Sequence, residues 1–114
     1  MSRTSDETLS RALLALADPT RRAILRRLAD GDQRVTELAA PFAMSLAAVS
    51  KHIRVLEQAG LVRRAVTGRE HVLSFDGRAL RPAADWIAAQ ESFWARRLDA
   101  LEDVLIKRSP RKRR

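Results

Sequence analysis

The 114 residues, 46% of them hydrophobic, suffice for one core, and the absence of cysteine excludes a disulfide framework, a thiolate metal site and a thiol redox switch. No apolar run approaches the roughly 20 residues that span a bilayer, and the N-terminus lacks a signal-peptide core, so a cytoplasmic chain with no membrane partner is expected. The net charge of +8 favours a polyanionic partner, and its meaning depends on where along the chain it falls.

Thr8 to Ala17 carries Leu9, Leu13, Leu14 and Leu16 at helical spacing, which predicts a short amphipathic helix. Asp18-Pro19 marks the start of a second. Asp accepts from free N–H groups at a helix start, and Pro fits the first turn, where its missing N–H has no partner. That helix runs through Ile24, Leu25 and Leu28 to a stop at Asp30-Gly31-Asp32, with Arg21, Arg22, Arg26 and Arg27 on its exposed face. Thr36 is placed to cap a third, short helix that Pro41 breaks. Ser45 caps a fourth, which ends at Gly60. Two short helices joined tightly, the second opening on Ser, are the parts of a helix-turn-helix.

On a helical wheel, Leu46, Val49, Ile53 and Leu56 share one face, expected to be buried. Ala47, Lys51, Arg54 and Gln58 cluster opposite, with Ala48, Ser50 and Val55 on the flanks. Small residues at the front let the backbone approach base pairs. Lys51 and Arg54 can reach guanine acceptors or phosphates, Ser50 can do either, and the free N–H groups near Ser45 offer a phosphate site. An exposed helix carries such charges for solubility too, so the neighbours matter. His52, at the edge of the apolar face, reads as a packing residue or phosphate donor rather than a metal ligand.

After Gly60 the pattern alternates. Leu61–Val66 and Glu70–Phe75 flank Thr67-Gly68-Arg69, which predicts a hairpin bending at glycine. Arg63, Arg64 and Arg69 are expected close to its tip, where an arginine can enter a minor groove; a hairpin charged merely for solubility is the alternative. From Arg78 or Leu80 to about Lys107 the chain reads as helix, with Leu80, Ile87, Trp94, Leu98, Leu101 and Leu105 at intervals of 7, 7, 4, 3 and 4. Trp86, Phe93 and Arg97 form a neighbouring line. Such a wide apolar arc serves both its own domain and a second subunit. The tryptophans are expected as core and subunit contacts, with a pocket for a small apolar effector as the alternative.

Charge follows this division. Residues 1–44 carry net +1, residues 45–69 carry +4, residues 70–106 carry −3, and the tail 107–114 carries +6. A polyanion would meet 45–69 and the tail. The expected organisation is one domain over 1–106 and a basic, disordered tail over 107–114, either solvated or in contact with DNA. The elements make a mainly α chain with a small β-hairpin, in the order α-α-α-α-β-β-α. No enzyme is expected, because no cysteine nucleophile, Gly-rich phosphate loop or His–carboxylate pairing is present. No cofactor is expected either.

The stretch Leu16-Ala-Asp-Pro-Thr-Arg-Arg-Ala-Ile-Leu-Arg-Arg-Leu28 resembles the N-terminal signature of the ArsR/SmtB winged helix-turn-helix repressors. Ser45-Leu-Ala-Ala-Val-Ser-Lys-His-Ile-Arg-Val-Leu-Glu-Gln-Ala-Gly-Leu-Val62 is similar to their recognition helix and first wing strand, and the resemblance covers roughly residues 8–106. It implies a homodimer built on the first and last helices, bound to an imperfect inverted repeat in double-stranded DNA and released by an effector. Leu9, Leu13, Trp86, Ile87, Phe93, Trp94, Leu98, Leu101 and Leu105 are then the dimer residues. Metal-sensing members carry a Cys-x-Cys pair where this chain has Arg34-Val-Thr-Glu37. Others bind zinc through Asp, His, His and Glu on paired last helices, but here no histidine follows His71. The resemblance is therefore to the metal-independent branch.

Overall fold

The computed structural model describes residues 3–108, with side chains over 6–107. In chain order the elements are α1 (Arg3–Leu16), α2 (Pro19–Ala29), β1 (Gln33–Arg34), α3 (Val35–Ala39), α4 (Leu46–Gln58), β2 (Val62–Thr67), β3 (Glu70–Phe75), a single 3-10 turn (Gly77–Leu80) and α5 (Arg81–Arg108). The chain divides into two compact units between Ala83 and Ala84.

In the first unit, α2 starts as its sequence dictates. Asp18 Oδ1 accepts from the backbone N–H of Thr20 at 2.7 Å and of Arg21 at 3.2 Å, and Pro19 opens the helix. One core gathers Ile24, Leu25 and Leu28 of α2, Leu38 of α3, Val49, Ile53 and Leu56 of α4, and Leu61 and Leu73 from the sheet side. Seven of its large side chains are fully enclosed, so this small unit rests on interdigitating helices around one face of the sheet.

Helix α1, the cap of α3 and the sheet depart from the sequence expectation. Helix α1 begins at Arg3, five residues before Thr8; the residues ahead of Thr8 are polar and show no apolar period, so the period alone does not reveal them. It buries Ala12 and Ala15, while Leu13 and Leu14 are 36% and 65% exposed. Helix α3 is preceded by Arg34, not capped by Thr36, which falls inside the helix. Arg34 is held extended by pairing in β1, and its backbone N–H donates to Glu37 Oε1 at 3.0 Å. Finally, β1 is an additional strand. The sheet is antiparallel in the order β1-β3-β2, with Gln33 opposite Leu73 and Arg34 opposite Val72.

The second unit is α5 from Ala84 onward. Phe93 and Trp94 pack edge to face, with centroids 5.4 Å apart, and the Arg97 guanidinium lies 5.2 Å from the Phe93 ring centre. Trp86, Ile87, Phe93, Trp94, Leu98, Leu101 and Leu105 are each between 41% and 60% exposed in the single chain. The helix runs through Arg108, so Lys107 and Arg108 belong to it rather than to a disordered tail. Residues 109–114 of the expected tail lie outside the described residues. Among the described residues, no helix is long and apolar enough to cross a membrane.

Candidate nucleic-acid interface

Helix α4 is fixed at both ends. Ser45 is extended (φ −68°, ψ 157°), and its Oγ accepts from the N–H of Ala48 at 3.1 Å. At the other end Gly60 adopts φ +77°. The N–H of Leu61 donates to Leu56 O and that of Gly60 to Glu57 O, both at 3.0 Å, forming a Schellman closure. That turn directs the chain straight into β2.

Between these caps the wheel holds. Val49, Ile53 and Leu56 are fully buried, while Ala47, Lys51, Arg54 and Gln58 are exposed. Ala48, Ser50 and Val55 are half-buried on the flanks. The exception is Leu46, expected in the buried face and 51% exposed. It is the first residue of α4, and helical side chains lean toward the N-terminus, which carries this one past the packed part of the helix. Neither Lys51 nor Arg54 forms an ion pair with a described residue.

His52 is half-buried, and its Nδ1 lies 3.2 Å from Nη1 of Arg21 on α2. A guanidinium can only donate, so Nδ1 accepts. Arg21 also donates through Nε to Ala15 O at 2.8 Å and through Nη2 to Leu14 O at 3.0 Å, while Arg22 Nη1 donates to Leu16 O at 2.7 Å. These arginines close the C-terminal carbonyls of α1, groups that a helix leaves unpaired.

In the hairpin Thr67 pairs with Glu70, leaving a two-residue turn of Gly68 and Arg69. Gly68 has φ +62° and no described non-glycine residue has positive φ, which is the pattern of a II′ turn. Arg69 therefore stands at the tip. Arg63 and Arg64 do not, contrary to the sequence expectation. They pair with Ser74 and Leu73 near the base, because the strands are six residues long and the turn only two.

Both base arginines are engaged within the chain. Arg63 Nε lies 3.1 Å from Asp76 Oδ2, which also accepts from Arg78 Nη2 at 3.0 Å. The side-chain hydrogen bonds of Arg78, its backbone N–H and the charge of Arg63 bring the Asp76 carboxyl down to about 2. Arg64 Nε and Nη2 donate to the two oxygens of Glu57 at 3.0 and 2.9 Å, and Nη1 donates to His71 Nδ1 at 3.1 Å. Hydrogen bonding to Arg64 holds the Glu57 carboxyl below its ordinary value despite partial burial. Sequence reasoning missed Glu57. The available signal was that it is the single acid in the basic segment 45–69.

Arg34, Thr36, Arg64, Arg69, His71 and the single acid Glu70, which pairs with Arg34, line a cleft of about 350 Å³ between the start of α3 and the hairpin. An exposed cationic helix face, its capped N-terminus and a hairpin with an arginine at the tip thus occur in one unit. Among the described residues no three His, Asp or Glu side chains gather as a metal site would require.

A helix-turn-helix domain family matches residues 16–65, the span from the end of α1 into β2. The HTH-type transcriptional regulator Rv2034 of Mycobacterium tuberculosis is 42% identical over 95 residues, 83% of this chain and 86% of that protein. The crystal structure of an ArsR family transcriptional regulator, RHA00566, matches with a TM-score of 0.74 at 40% identity, covering 79% of this chain and 93% of that one.

The chain belongs to the ArsR family of winged helix-turn-helix transcriptional regulators. As an ArsR-family member it is a DNA-binding regulator and not an enzyme; α3 and α4 are its helix-turn-helix and β2–β3 its wing. A further neighbour is the homodimeric winged helix-turn-helix DNA-binding domain (fragment 1–100) of Mb0332 from Mycobacterium bovis, solved by NMR and described as a possible ArsR-family regulator. It has a TM-score of 0.62 at 26% identity and covers 82% of this chain and 91% of that one.

Proposed function

We propose that this regulator is a cytoplasmic homodimeric repressor that binds an inverted-repeat operator, with α4 of each copy in a major groove and each wing tip over the adjacent minor groove. The observation that carries the reading is the state of Lys51 and Arg54. Both stand on the face of α4 opposite the fully buried Val49, Ile53 and Leu56, with no ion pair to a described residue. Ala47 and Ala48 keep the front of that face low, and Ser45, Ser50 and His52 offer polar groups to bases and phosphates. Arg69 reaches from the wing tip.

The dimer is proposed on α1 and α5. Leu13 of α1 and the apolar residues of α5, from Trp86 to Leu105, are exposed in the single chain, and Leu9 is half-buried. A helix face as apolar and exposed as that of α5 marks an interaction surface. The Mb0332 domain, which is homodimeric, supports a dimer, and the choice of α1 and α5 rests on these exposed apolar faces. A small apolar effector at Trp86, Phe93 and Trp94 would need a second copy to close over these half-exposed rings, and saturable quenching of tryptophan fluorescence would reveal it. The metal-independent assignment rests on the donor set, with no cysteine in the sequence and no histidine after His71.

Footprinting and salt-controlled titration of the protein on its own upstream region test the reading. The wild type should prefer its operator over random DNA by about 10³-fold or more. Lys51→Ala and Arg54→Ala should each weaken operator binding by about 1–3 kcal/mol while leaving thermal stability in place. Unchanged binding in the double variant would overturn it, and equal affinity for random DNA would indicate a sequence-independent binder.

A further inference from the structure

Glu57 is the penultimate residue of α4 and Arg64 the third of β2, on opposite sides of the turn at Ala59–Leu61. Their contact is two-pronged: Nε to Oε2 at 3.0 Å and Nη2 to Oε1 at 2.9 Å. This side-by-side geometry fixes orientation as well as distance. The third nitrogen, Nη1, reaches His71 Nδ1 at 3.1 Å, so one guanidinium ties the end of the recognition helix to both strands of the wing. Among the described ion pairs this one alone has both side chains less than a third exposed, at 29% and 27%. By contrast, Arg34 is 49% exposed and Arg63 is 65% exposed.

These facts bear on what Arg64 can do for DNA. All three of its nitrogens are committed within the chain, and its charge is cancelled by Glu57 at hydrogen-bond distance. A group in that state, with its Nε–Nη2 edge taken by Glu57 and its charge balanced, attracts a phosphate far less than an unpaired arginine does. Arg69, five positions further along the hairpin, is at the tip and forms no ion pair with a described residue.

We propose that Glu57 is a positioning residue that sets the wing at a fixed angle to the recognition helix by bracketing Arg64, and that Arg64 serves as this bracket rather than as a DNA contact. The inference deepens the DNA-reading assignment above and rests on it for its functional consequence. The turn between helix and wing is closed by backbone hydrogen bonds and by burial of Leu61 in the core, and the bracket is the side-chain ion pair that crosses it, from residue 57 to residue 64. Held in this way, the tip arginine meets the minor groove in register with the face of α4. Released, it sweeps a range of positions.

Two measurements on the full chain test the proposal, one of them independent of DNA. In the free protein, amide exchange of ladder residues of the wing such as Ala65 and Val72 should speed up at least tenfold in Glu57→Gln and in Arg64→Gln, with amides around Ile24 and Ile53 unchanged. On operator DNA, both variants should lose minor-groove protection at the wing while keeping guanine N7 protection under α4, with affinity down about tenfold. Arg69→Gln should make the slope of log affinity against log salt shallower by about one for each phosphate that Arg69 neutralises, whereas Arg64→Gln should barely change it. The charge swap Glu57→Arg with Arg64→Glu should restore wing protection that either single change abolishes.

If Glu57→Gln is silent in both measurements while Arg64→Gln lowers the salt slope as Arg69→Gln does, Arg64 is a phosphate contact and the bracket is overturned. If wing exchange responds as expected but the wild type shows no operator preference, the bracket stands and the DNA-reading assignment fails.

Discussion

Arg21 of α2 reaches His52 of α4 at 3.2 Å while its remaining nitrogens hold the Leu14 and Ala15 carbonyls of α1, so one side chain joins three helices. The sequence places Arg21 on an exposed helix face among other arginines, where it looks like one more surface charge. Its contacts make it a helix closure. Arg21→Ala should cost about 1–3 kcal/mol, because it strips partners from carbonyls at the end of α1 and from a half-buried imidazole. Urea unfolding monitored by circular dichroism measures this. Arg26→Ala, on the same helix and exposed, should fall within about 0.5 kcal/mol of the wild type.

Asp76 makes a pH-dependent prediction at the base of the wing. Its carboxyl titrates at about 2 in the folded chain, below the ordinary value of 3.8, because Arg78 and Arg63 stabilise the ionised form. A depressed carboxylate contributes stability above its unfolded value and loses it as pH falls toward the folded one. Asp76→Asn should therefore lower the urea midpoint by a constant amount from pH 7 down to about 5. The gap to the wild type should close between about pH 4 and pH 2. A gap that stays constant to pH 2 would assign the role of Asp76 to its hydrogen bonds alone. The side-chain amide would then lack the acceptor capacity that Arg78 and Arg63 share.

The two leucines at the ends of α4 separate what periodicity can and cannot read. Leu56 is fully buried and Leu46 is 51% exposed, although both fall on the same wheel face. Leu56→Ala should cost about 2–5 kcal/mol, whereas Leu46→Ala should cost less than about 1 kcal/mol. Chemical denaturation of the two variants decides it.

The same contrast shows how much of the molecule is legible in its sequence. Asp18, Ser45, Gly60 and Gly68 act locally, through their own backbone or the next three residues, so residue type and position suffice to read their roles. Strand β1 is not readable, since two residues cannot show an alternating period; it exists because β3 leaves an edge at Val72 and Leu73. The apolar period places the start of α1 at Thr8, because Arg3 to Glu7 carry no such pattern, yet those residues are helical. In the interface, position is legible but partnership is not. The spacing puts Lys51 and Arg54 on the exposed face. Nothing in the spacing reveals that Arg63 and Arg64 are held by Asp76 and Glu57, since those contacts depend on strand length and on where α4 ends.

The dimer surface offers the sharpest test of the proposed assembly. Leu98 lies midway along α5 and is 60% exposed, in line with Trp94, Leu101 and Leu105, which are 55%, 54% and 56% exposed. A carboxylate introduced there has water on its side in the monomer but would be buried and unpaired against a second copy, where desolvation of the charge is costly. Leu98→Asp should therefore leave helical content and the first unit's stability close to those of the wild type while shifting sedimentation from dimer to monomer. Operator affinity should fall by about 100-fold or more, since the two half-sites would no longer be bound by linked subunits. Affinity for a single half-site should stay within a few-fold. If the variant sediments as a dimer and binds the full operator normally, α5 is not the joining surface and the apolar faces of α1 and α5 need another partner.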